Sequence, residues 1–265
     1  DHDAVEPFVE EHVNPYLHDD EYSITSGMMC VELARLVSPE VEDDVRHVPA
    51  VSGKGDRSEA PEMEDYLELA ASEGYDEEHV EDIAEALDYE SFWLKYNDGK
   101  HLVNHILDIV ENDVHDELVD KLETRAQEAF DKQMDAALPH VEDELLDNGA
   151  RLYSIDVENY AHKFTYPAPG KTTGEIHDQM VEMTDEPVVT IGYGPDFCVI
   201  RGHGIKMDIP EIVSELKQEM KGTGVDGGGH LVVGSIKFVE GMRDEVIAAL
   251  VDKIEQAPIE EEYAE

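Results

Sequence analysis

One segment in the last third of the chain combines residue types that could contact a phosphate. Asp226 is followed by Gly227, Gly228, Gly229 and His230. Consecutive glycines let the backbone approach a ligand closely and present several N–H groups to an anion. A histidine directly after them can hydrogen-bond a phosphate or assist its transfer. Taken by itself, the run could equally be a flexible turn.

A second glycine-rich run carries a carboxylate. The short apolar stretch Val45–Val51 is followed by Ser-Gly-Lys-Gly-Asp, which ends at Asp56. The stretch predicts a buried strand or helix that leads into a loop. On a glycine loop, Asp56 could reach a metal centre without steric conflict, and the alternative is a turn that it forms with Gly55. Carboxylates mixed with imidazoles are ligands that suit manganese.

Arg201 is a cation in a chain that has few of them, 19 Lys and Arg against 65 Asp and Glu. A guanidinium can hold a phosphate through two parallel hydrogen bonds. His203 and Lys206 follow closely along the chain and would add positive potential. A surface ion pair with Asp208 or Glu211 is the alternative for Arg201.

The other titratable residues give weaker patterns. Lys237 follows the glycine run and is a lesser candidate for phosphate contact. His101 and His105 are four residues apart on a predicted helix, but no Glu follows His101 as a zinc protease would require. The remaining histidines show no ligand spacing, among them His12, His47, His115 and His140.

The acidic residues are spread along the whole chain, and the formal net charge is −46. In dilute buffer this like charge would destabilise the compact state, whereas at molar ionic strength a Debye length of about 3 Å screens it. The composition is therefore typical of a halophile, and we expect an archaeal one; an acidic protein of an ordinary cell is the alternative. Net charge does not exclude a nucleic-acid partner.

Composition also excludes several classes of protein. The sequence contains no run of about 18 apolar residues, so we expect no membrane span. No secretion leader is visible, which favours a cytoplasmic protein. Only Cys30 and Cys198 occur, which argues against a disulfide scaffold or a cysteine-based zinc site.

The spacing of apolar residues predicts the elements that position these candidates. Thr25 or Ser26 begins a helix that ends before Pro39, and residues 63–97 form two further helices. From Leu102 to Leu146 the pattern is almost continuously helical, which predicts a helix of roughly 50 Å or more. Such a helix is either a coiled coil or a connector between domains.

From Ala150 onward the pattern alternates between strands and helices. The predicted strands are 150–157, 187–193, 197–201 and 232–239; the predicted helices are 171–183, 209–220 and 241–254, with a glycine-rich loop at 222–230. The sequence therefore predicts an α/β fold with two α/β domains joined by a long helical connector, with boundaries at 1–105, 106–148 and 149–265.

The glycine run, with Gly234 after it and Arg201 before it, resembles the DHH-associated domain of DHH phosphoesterases. The resemblance implies that Gly227, Gly228, Gly229 and His230 bind the end of a nucleic acid, and that Arg201 contacts phosphate. The N-terminal part agrees: Asn14-Pro15, Thr25-Ser26-Gly27 and the run ending at Asp56 are similar to the second half of a DHH domain. By that resemblance, Asp56 is a catalytic metal ligand.

The chain departs from the family pattern in its first residues. The first two motifs, which supply aspartate ligands, do not occur in the sequence. Asp1-His2-Asp3 is either a divergent copy of the Asp-His-His triplet, with His2 as a metal ligand, or that triplet lies upstream. The run after His230 has Val232-Val233 where many relatives have alanines.

The resemblance implies a two-metal phosphodiesterase that uses manganese, or magnesium, to degrade single-stranded DNA or RNA from an end, as RecJ-like exonucleases do. In that reading Asp56 and His230 are the catalytic residues. One alternative is a weakly active or inactive scaffold in the archaeal replisome, associated with the GINS complex. Another is a phosphodiesterase for cyclic dinucleotides or short oligonucleotides.

Overall fold

The computed structural model describes residues 24–94, 100–110, 113–162, 164–260 and 263. The chain divides into two compact units, residues 1–127 and 128–265. Within the described ranges no helix has both the length and the apolar character that a bilayer span requires. His2, which the sequence proposes as a metal ligand, lies outside the described residues.

The first unit is helical throughout its described part. Two of its helices begin with caps that the sequence signals: the Thr25 hydroxyl accepts a hydrogen bond from the Met28 N–H at 3.2 Å, and the Asp76 carboxylate accepts one from the His79 N–H at 3.0 Å. The helices are α1 (Ser26–Val37), α2 (Glu42–Val45), α3 (Val48–Gly55), α4 (Met63–Ser72), α5 (Glu77–Leu94), α6 (Lys100–Ile106) and α7 (His115–Ala137), within which the boundary between the units falls.

Small residues let the helices of the first unit approach one another closely. A Cβ atom on Gly27 would lie 2.1 Å from the Ser52 Oγ, and one on Gly53 would lie 2.1 Å from the Met63 Sδ. Close approach of α1, α3 and α5 buries an alanine-rich core, whose fully enclosed members include Ala50, Ala70, Val80, Ile83 and Ala86.

The prediction of one continuous helix from Leu102 to Leu146 is wrong. The chain leaves the helix after α6, where Asp108 has a φ of 49°, a left-handed conformation that a continuing helix does not contain. Beyond α7, Pro139 lies in a 3₁₀ turn, and residues Glu142–Leu145 form a strand, β1. The apolar periodicity is real, but at 1.5 Å per residue α7 spans only about 35 Å.

The second unit carries a six-stranded mixed sheet in the order β1-β2-β3-β4-β6-β5, and this confirms the α/β class. Strands β2 and β3 are parallel, and every other neighbouring pair is antiparallel. All strands of the described residues lie in this unit. The remaining elements are β2 (Arg151–Asp156), α8 (Val157–Tyr160), α9 (Pro169–Met183), β3 (Val188–Tyr193), β4 (Phe197–His203), α10 (Ile209–Glu219), β5 (Asp226–Gly229), β6 (Val233–Lys237) and α11 (Arg243–Gln256).

Helices cover the two faces of this sheet unequally. Cys198 and Ile200 of β4 pack with Leu216 of α10 and Leu250 of α11 on one face. On the other face, α9 packs against β2, β3 and β4. Because side chains alternate along a strand, Val199, which lies between Cys198 and Ile200, belongs to the face that α9 covers.

The glycine run is a strand and not the loop that the sequence predicts. Asp226–Gly229 form β5, the edge strand, which pairs with β6 in antiparallel register. The same difference occurs in the first unit, where Gly53 and Gly55 belong to α3. In both places tertiary packing determines the conformation of residues whose own preference is permissive.

Candidate functional site

Part of the sheet face beside α9 is open to solvent. Strand register places Arg201 of β4 opposite Val233 of β6, and Ser235 opposite Gly228 of β5. By alternation, Arg201, Gly228, Ser235 and Lys237 share this face. Ser235 and Lys237 are exposed, whereas α10 packs against β5 and β6 and α11 joins it in the core of the opposite face. We call these four residues the open face.

Arg201 is half-buried at the border between the open face and α9. A Cβ atom on Gly174 of α9 would lie 3.0 Å from the Nε, Cζ and Nη2 atoms of Arg201. The missing side chain at Gly174 therefore lets the guanidinium lie against the helix. Partial removal of a guanidinium from water strengthens the charge-assisted hydrogen bonds that it makes to a phosphate.

A buried imidazole lies beneath this border. The Nδ1 atom of His177 is 3.0 Å from the Oγ1 atom of Thr190, the residue that pairs with Arg201 across β3 and β4. Burial is the main cause that lowers the pKa of His177 to about 4, and the positive charge of Arg201 contributes in the same direction. His177 is therefore neutral at pH 7 and leaves Arg201 as the cation at this border.

The three glycines of β5 have different structural requirements. Cβ atoms on Gly227 and Gly229 would lie 2.2 Å from the carbonyl oxygens of Ser235 and Val233. A Cβ atom on Gly228 would meet nothing within 4 Å. The backbone thus needs Gly227 and Gly229, whereas the protein's own packing does not need Gly228, whose missing side chain leaves space above the strand.

His230 begins the turn that joins β5 to β6. Its N–H donates to the Val233 carbonyl at 2.7 Å, and the Ile209 N–H donates to the Leu231 carbonyl at 3.0 Å, which ties the turn to the start of α10. Since Val233 also pairs with Arg201, the structure brings Arg201, Gly228 and His230 to one corner of the sheet. The sequence predicts this grouping but not the strand that produces it.

The two other basic residues proposed from the sequence lie apart: His203 follows Arg201 along β4, whereas Lys206 lines a pocket with residues of α10 and α11, which cover the opposite face. His203 is the last residue of β4 and is exposed, with its Nε2 atom 2.7 Å from the Tyr263 hydroxyl. Lys206 is exposed in the segment that follows, where its N–H donates to the Pro258 carbonyl. By alternation His203 faces the same side of the sheet as Arg201.

Asp56 lies in the first unit, at the carboxyl end of α3, and is exposed. Its N–H donates to the Ser52 carbonyl at 3.2 Å, so the residue ends a helix instead of lying on a glycine loop. Its exposed carboxylate is a donor that Mn²⁺ and Mg²⁺ accept. Within the described ranges no group of three metal ligands includes Asp56, so it fits as one ligand of a site that needs further residues.

No protein-family profile matches the chain. An uncharacterized protein of Methanocaldococcus jannaschii is 40% identical over an alignment of 271 positions, gaps included, that covers 94% of this chain and 36% of that protein. The DHH domain structure of a member of the s1p family of ribosomal proteins is 43% identical with a TM-score of 0.88, and it covers 94% of this chain and 59% of that one. This chain has the RecJ-like fold of the DHH family.

RecJ structures support the fold assignment at low identity. RecJ from Thermus thermophilus in complex with Mn²⁺ is 14% identical, with a TM-score of 0.51, and the match covers 82% of this chain and 34% of RecJ. The same RecJ is also described in complex with Mg²⁺. The chain therefore spans about a third of its curated relative and of RecJ, and three fifths of the DHH domain structure.

Sequence reasoning missed several residues that the DHH-family fold brings together. Ser235 belongs to the open face, and the signal for it is the two-residue periodicity around Lys237. Gly174 gives Arg201 its position, but no local pattern marks a contact between a helix and a strand. In the first unit, His79 and His115 meet although they are far apart along the chain.

Proposed function

We propose that the chain is the downstream part of a DHH-family phosphoesterase that degrades single-stranded DNA or RNA from one end, as RecJ exonucleases do. Residues 149–265 would bind the nucleic acid, and residues 1–105 would complete the catalytic domain. Residues 106–148 would connect these two parts. The observation that carries the proposal is the open face. It places a half-buried guanidinium, an exposed hydroxyl and an uncovered glycine on one face of three neighbouring strands, which suits a sugar–phosphate backbone.

Each residue of the open face has a distinct role in this proposal. Arg201 would bind a phosphate through two N–H groups, and Gly228 would let the nucleic-acid backbone approach β5. The Ser235 hydroxyl would donate to a second phosphate oxygen, and Lys237 would add positive potential. His230, at the end of β5, would hold or transfer a proton at the terminal phosphate.

Asp56 would hold a divalent metal, together with His2 and residues outside the described ranges. We propose manganese as that metal, with magnesium as the alternative. Bound in pairs, such ions supply an activated water and stabilise the leaving oxygen in phosphoryl transfer. Asp56 contributes a carboxylate at a helix end, where it has freedom to reach them.

The proposed setting is the cytoplasm of a halophilic archaeon. With a net charge of −46, the scarce cations are shared: Lys253 Nζ lies 2.8 Å from a Glu215 oxygen and 2.7 Å from a Glu219 oxygen. Molar salt screens the remaining repulsion. The same screening weakens phosphate contacts that rest on long-range charge, which favours close contacts such as those of Arg201 and the glycine strand.

The experiment is a nuclease assay in molar KCl with Mn²⁺, on end-labelled single-stranded DNA and RNA. It uses the full-length protein, because residues 1–265 span only part of the length of the relatives. Asp56→Asn should abolish product release. Gly228→Ala should raise KM by about tenfold without changing the unfolding midpoint, because its Cβ meets only the ligand. Gly170→Ala is the matched control: its Cβ also meets nothing within 4 Å, and we expect no change.

Equal KM values for Gly228→Ala and Gly170→Ala would contradict the role of the open face. Product release that survives Asp56→Asn would contradict the role of Asp56. Binding of nucleic acid with no hydrolysis in any arm would instead favour the GINS-associated scaffold, and hydrolysis restricted to cyclic dinucleotides or short oligonucleotides would favour the small-substrate enzyme.

Comparison of the two polymers tests a finer point. The similar DHH domain structure belongs to a protein described as a member of a family of ribosomal proteins. This association favours RNA over DNA as the polymer that this chain degrades. We therefore expect the RNA substrate to give the larger kcat/KM in the same buffer.

A further inference from the structure

Two histidines from different helices meet in the first unit, away from any role considered so far. The Nε2 atoms of His79 on α5 and His115 on α7 lie 3.1 Å apart. Asp116, the next residue on α7, places a carboxylate oxygen 4.0 Å from the His79 Nε2. One ligand atom of each residue lies within 4.8 Å of the other two.

This spacing matches the spacing of zinc ligands. Two nitrogens bound at 2.0–2.1 Å in a tetrahedral site are about 3.3 Å apart. The imidazole nitrogens already have nearly that separation, and Asp116 is exposed, so a small rotation of its side chain would complete three ligands. We propose that His79, His115 and Asp116 bind a zinc ion, with water in the fourth position.

A backbone carbonyl orients His115 for this role. The Nδ1 atom of His115 lies 3.1 Å from the His105 carbonyl oxygen. A carbonyl oxygen only accepts, so Nδ1 carries the proton and Nε2 presents its lone pair toward His79. A ligating histidine typically has such a partner on its second nitrogen, which fixes the tautomer and increases the basicity of the ligating atom.

The ring of Tyr75 packs against both histidines. Its centroid lies 5.7 Å from that of His79, in a stacked arrangement, and 6.1 Å from that of His115, edge to face. The Tyr75 hydroxyl donates to Asp108 at 2.6 Å, and the His47 ring stacks on the Tyr75 ring with centroids 4.2 Å apart. Rings that are packed in this way present their nitrogens without a large loss of entropy on metal binding.

The competing interpretation is a hydrogen bond between the two imidazoles, in which one Nε2 donates and the other accepts. It explains the distance of 3.1 Å but gives no role to Asp116. The two interpretations differ in whether the protein binds a transition metal when Asp56 is removed. Imidazole with carboxylate favours zinc over Mg²⁺ or Ca²⁺, which prefer oxygen ligands alone.

The test is a Co²⁺ titration of the full-length Asp56→Asn protein in chelator-treated molar KCl, followed by Zn²⁺ competition. Co²⁺ is a spectroscopic probe because a tetrahedral site gives intense visible absorption. We expect one equivalent with that spectrum, displaced by one equivalent of Zn²⁺. His79→Gln should abolish the spectrum, and Asp116→Asn should weaken Zn²⁺ binding by at least tenfold. His140→Gln in the second unit is the matched control and should bind normally.

Far-UV circular dichroism shows whether each variant is folded. Metal binding is compared only between variants whose spectrum matches that of the wild type. Absence of a tetrahedral Co²⁺ spectrum in the Asp56→Asn protein would overturn the proposal. An unchanged spectrum in folded His79→Gln would also overturn it. Should His79→Gln fail to fold, Asp116→Asn decides, since its side chain is exposed and its unchanged affinity would exclude the site. None of these outcomes depends on nuclease activity.

Discussion

Each unit has a glycine-rich run beside its candidate residues, but the glycines of the two runs differ in whether packing requires them. In the first unit Gly53 is enclosed in α3, where Met63 and Met28 occupy the space that a side chain would need. In the second unit Gly228 lies on an edge strand with nothing above it. The comparison teaches that a glycine suggests a ligand only where the protein's own packing does not already require it.

The largest effect on stability that we expect is that of Gly229→Ala, which should greatly exceed that of Gly228→Ala in the same strand. Gly229→Ala would place a Cβ 2.2 Å from the Val233 carbonyl oxygen at a φ of 153°, so the backbone of the hairpin must move. Overpacking together with backbone strain should cost about 4 kcal/mol of unfolding free energy. Gly228→Ala should cost less than about 0.5 kcal/mol. Chemical denaturation in molar KCl measures both.

Similar unfolding midpoints for these two variants would remove the steric distinction within the glycine run. Gly228 would then not differ from its neighbours in the space available for a side chain. A large loss in Gly228→Ala alone would show instead that this glycine has a packing role.

The second expected effect concerns the buried histidine beside Arg201. His177 has a pKa of about 4 in the folded state against 6.5 unperturbed, so between these values the unfolded chain binds more protons. The contribution of His177 to the unfolding free energy is fully present above pH 6.5. It is lost as the pH falls toward 4, by about 3 kcal/mol in total. His177→Gln keeps a donor and acceptor near Thr190 but does not titrate.

The measurement is the unfolding free energy of wild type and His177→Gln at several pH values, so that titrating carboxylates cancel in the difference. We expect the difference to change by about 3 kcal/mol between pH 7 and pH 4. His203→Gln is the control, because His203 is exposed at the end of β4. A difference that is constant with pH would show that His177 is not held neutral by burial.

Most elements of the second unit follow from the sequence because local signals and tertiary packing agree there; the strands β1 and β5 are the exceptions. Asp208 caps α10 by accepting the Glu211 N–H at 2.9 Å, and Pro210 occupies the first turn as the pattern predicts. The strands β2, β3 and β4 occur within a few residues of their predicted bounds. In β4 buried residues alternate with partly exposed ones, whereas β3 is buried on both faces and is a short continuous apolar run.

The rest of the molecule depends on contacts between distant residues, which a single sequence does not display. Nothing local distinguishes a helix that continues past Asp108 from one that stops there, so α6 and α7 merge in the prediction. The pairing of His79 with His115 spans 36 residues. Likewise, the placement of Arg201 depends on a missing side chain at Gly174, and glycine inside a helix signals nothing by itself.

The third expected effect, smaller than those of Gly229→Ala and of the His177 titration, concerns the packed glycine of the first unit. A Cβ on Gly53 would lie 2.1 Å from the Met63 Sδ and 2.6 Å from the Met28 Cε. Both atoms belong to flexible side chains that can rotate away, and alanine favours the helix over glycine. Gly53→Ala should therefore cost only about 1–2 kcal/mol, against about 4 kcal/mol for Gly229→Ala, where backbone atoms are in the way. Thermal unfolding measures the stability of both variants. A larger loss of stability in Gly53→Ala than in Gly229→Ala would reverse the comparison between the two glycine runs.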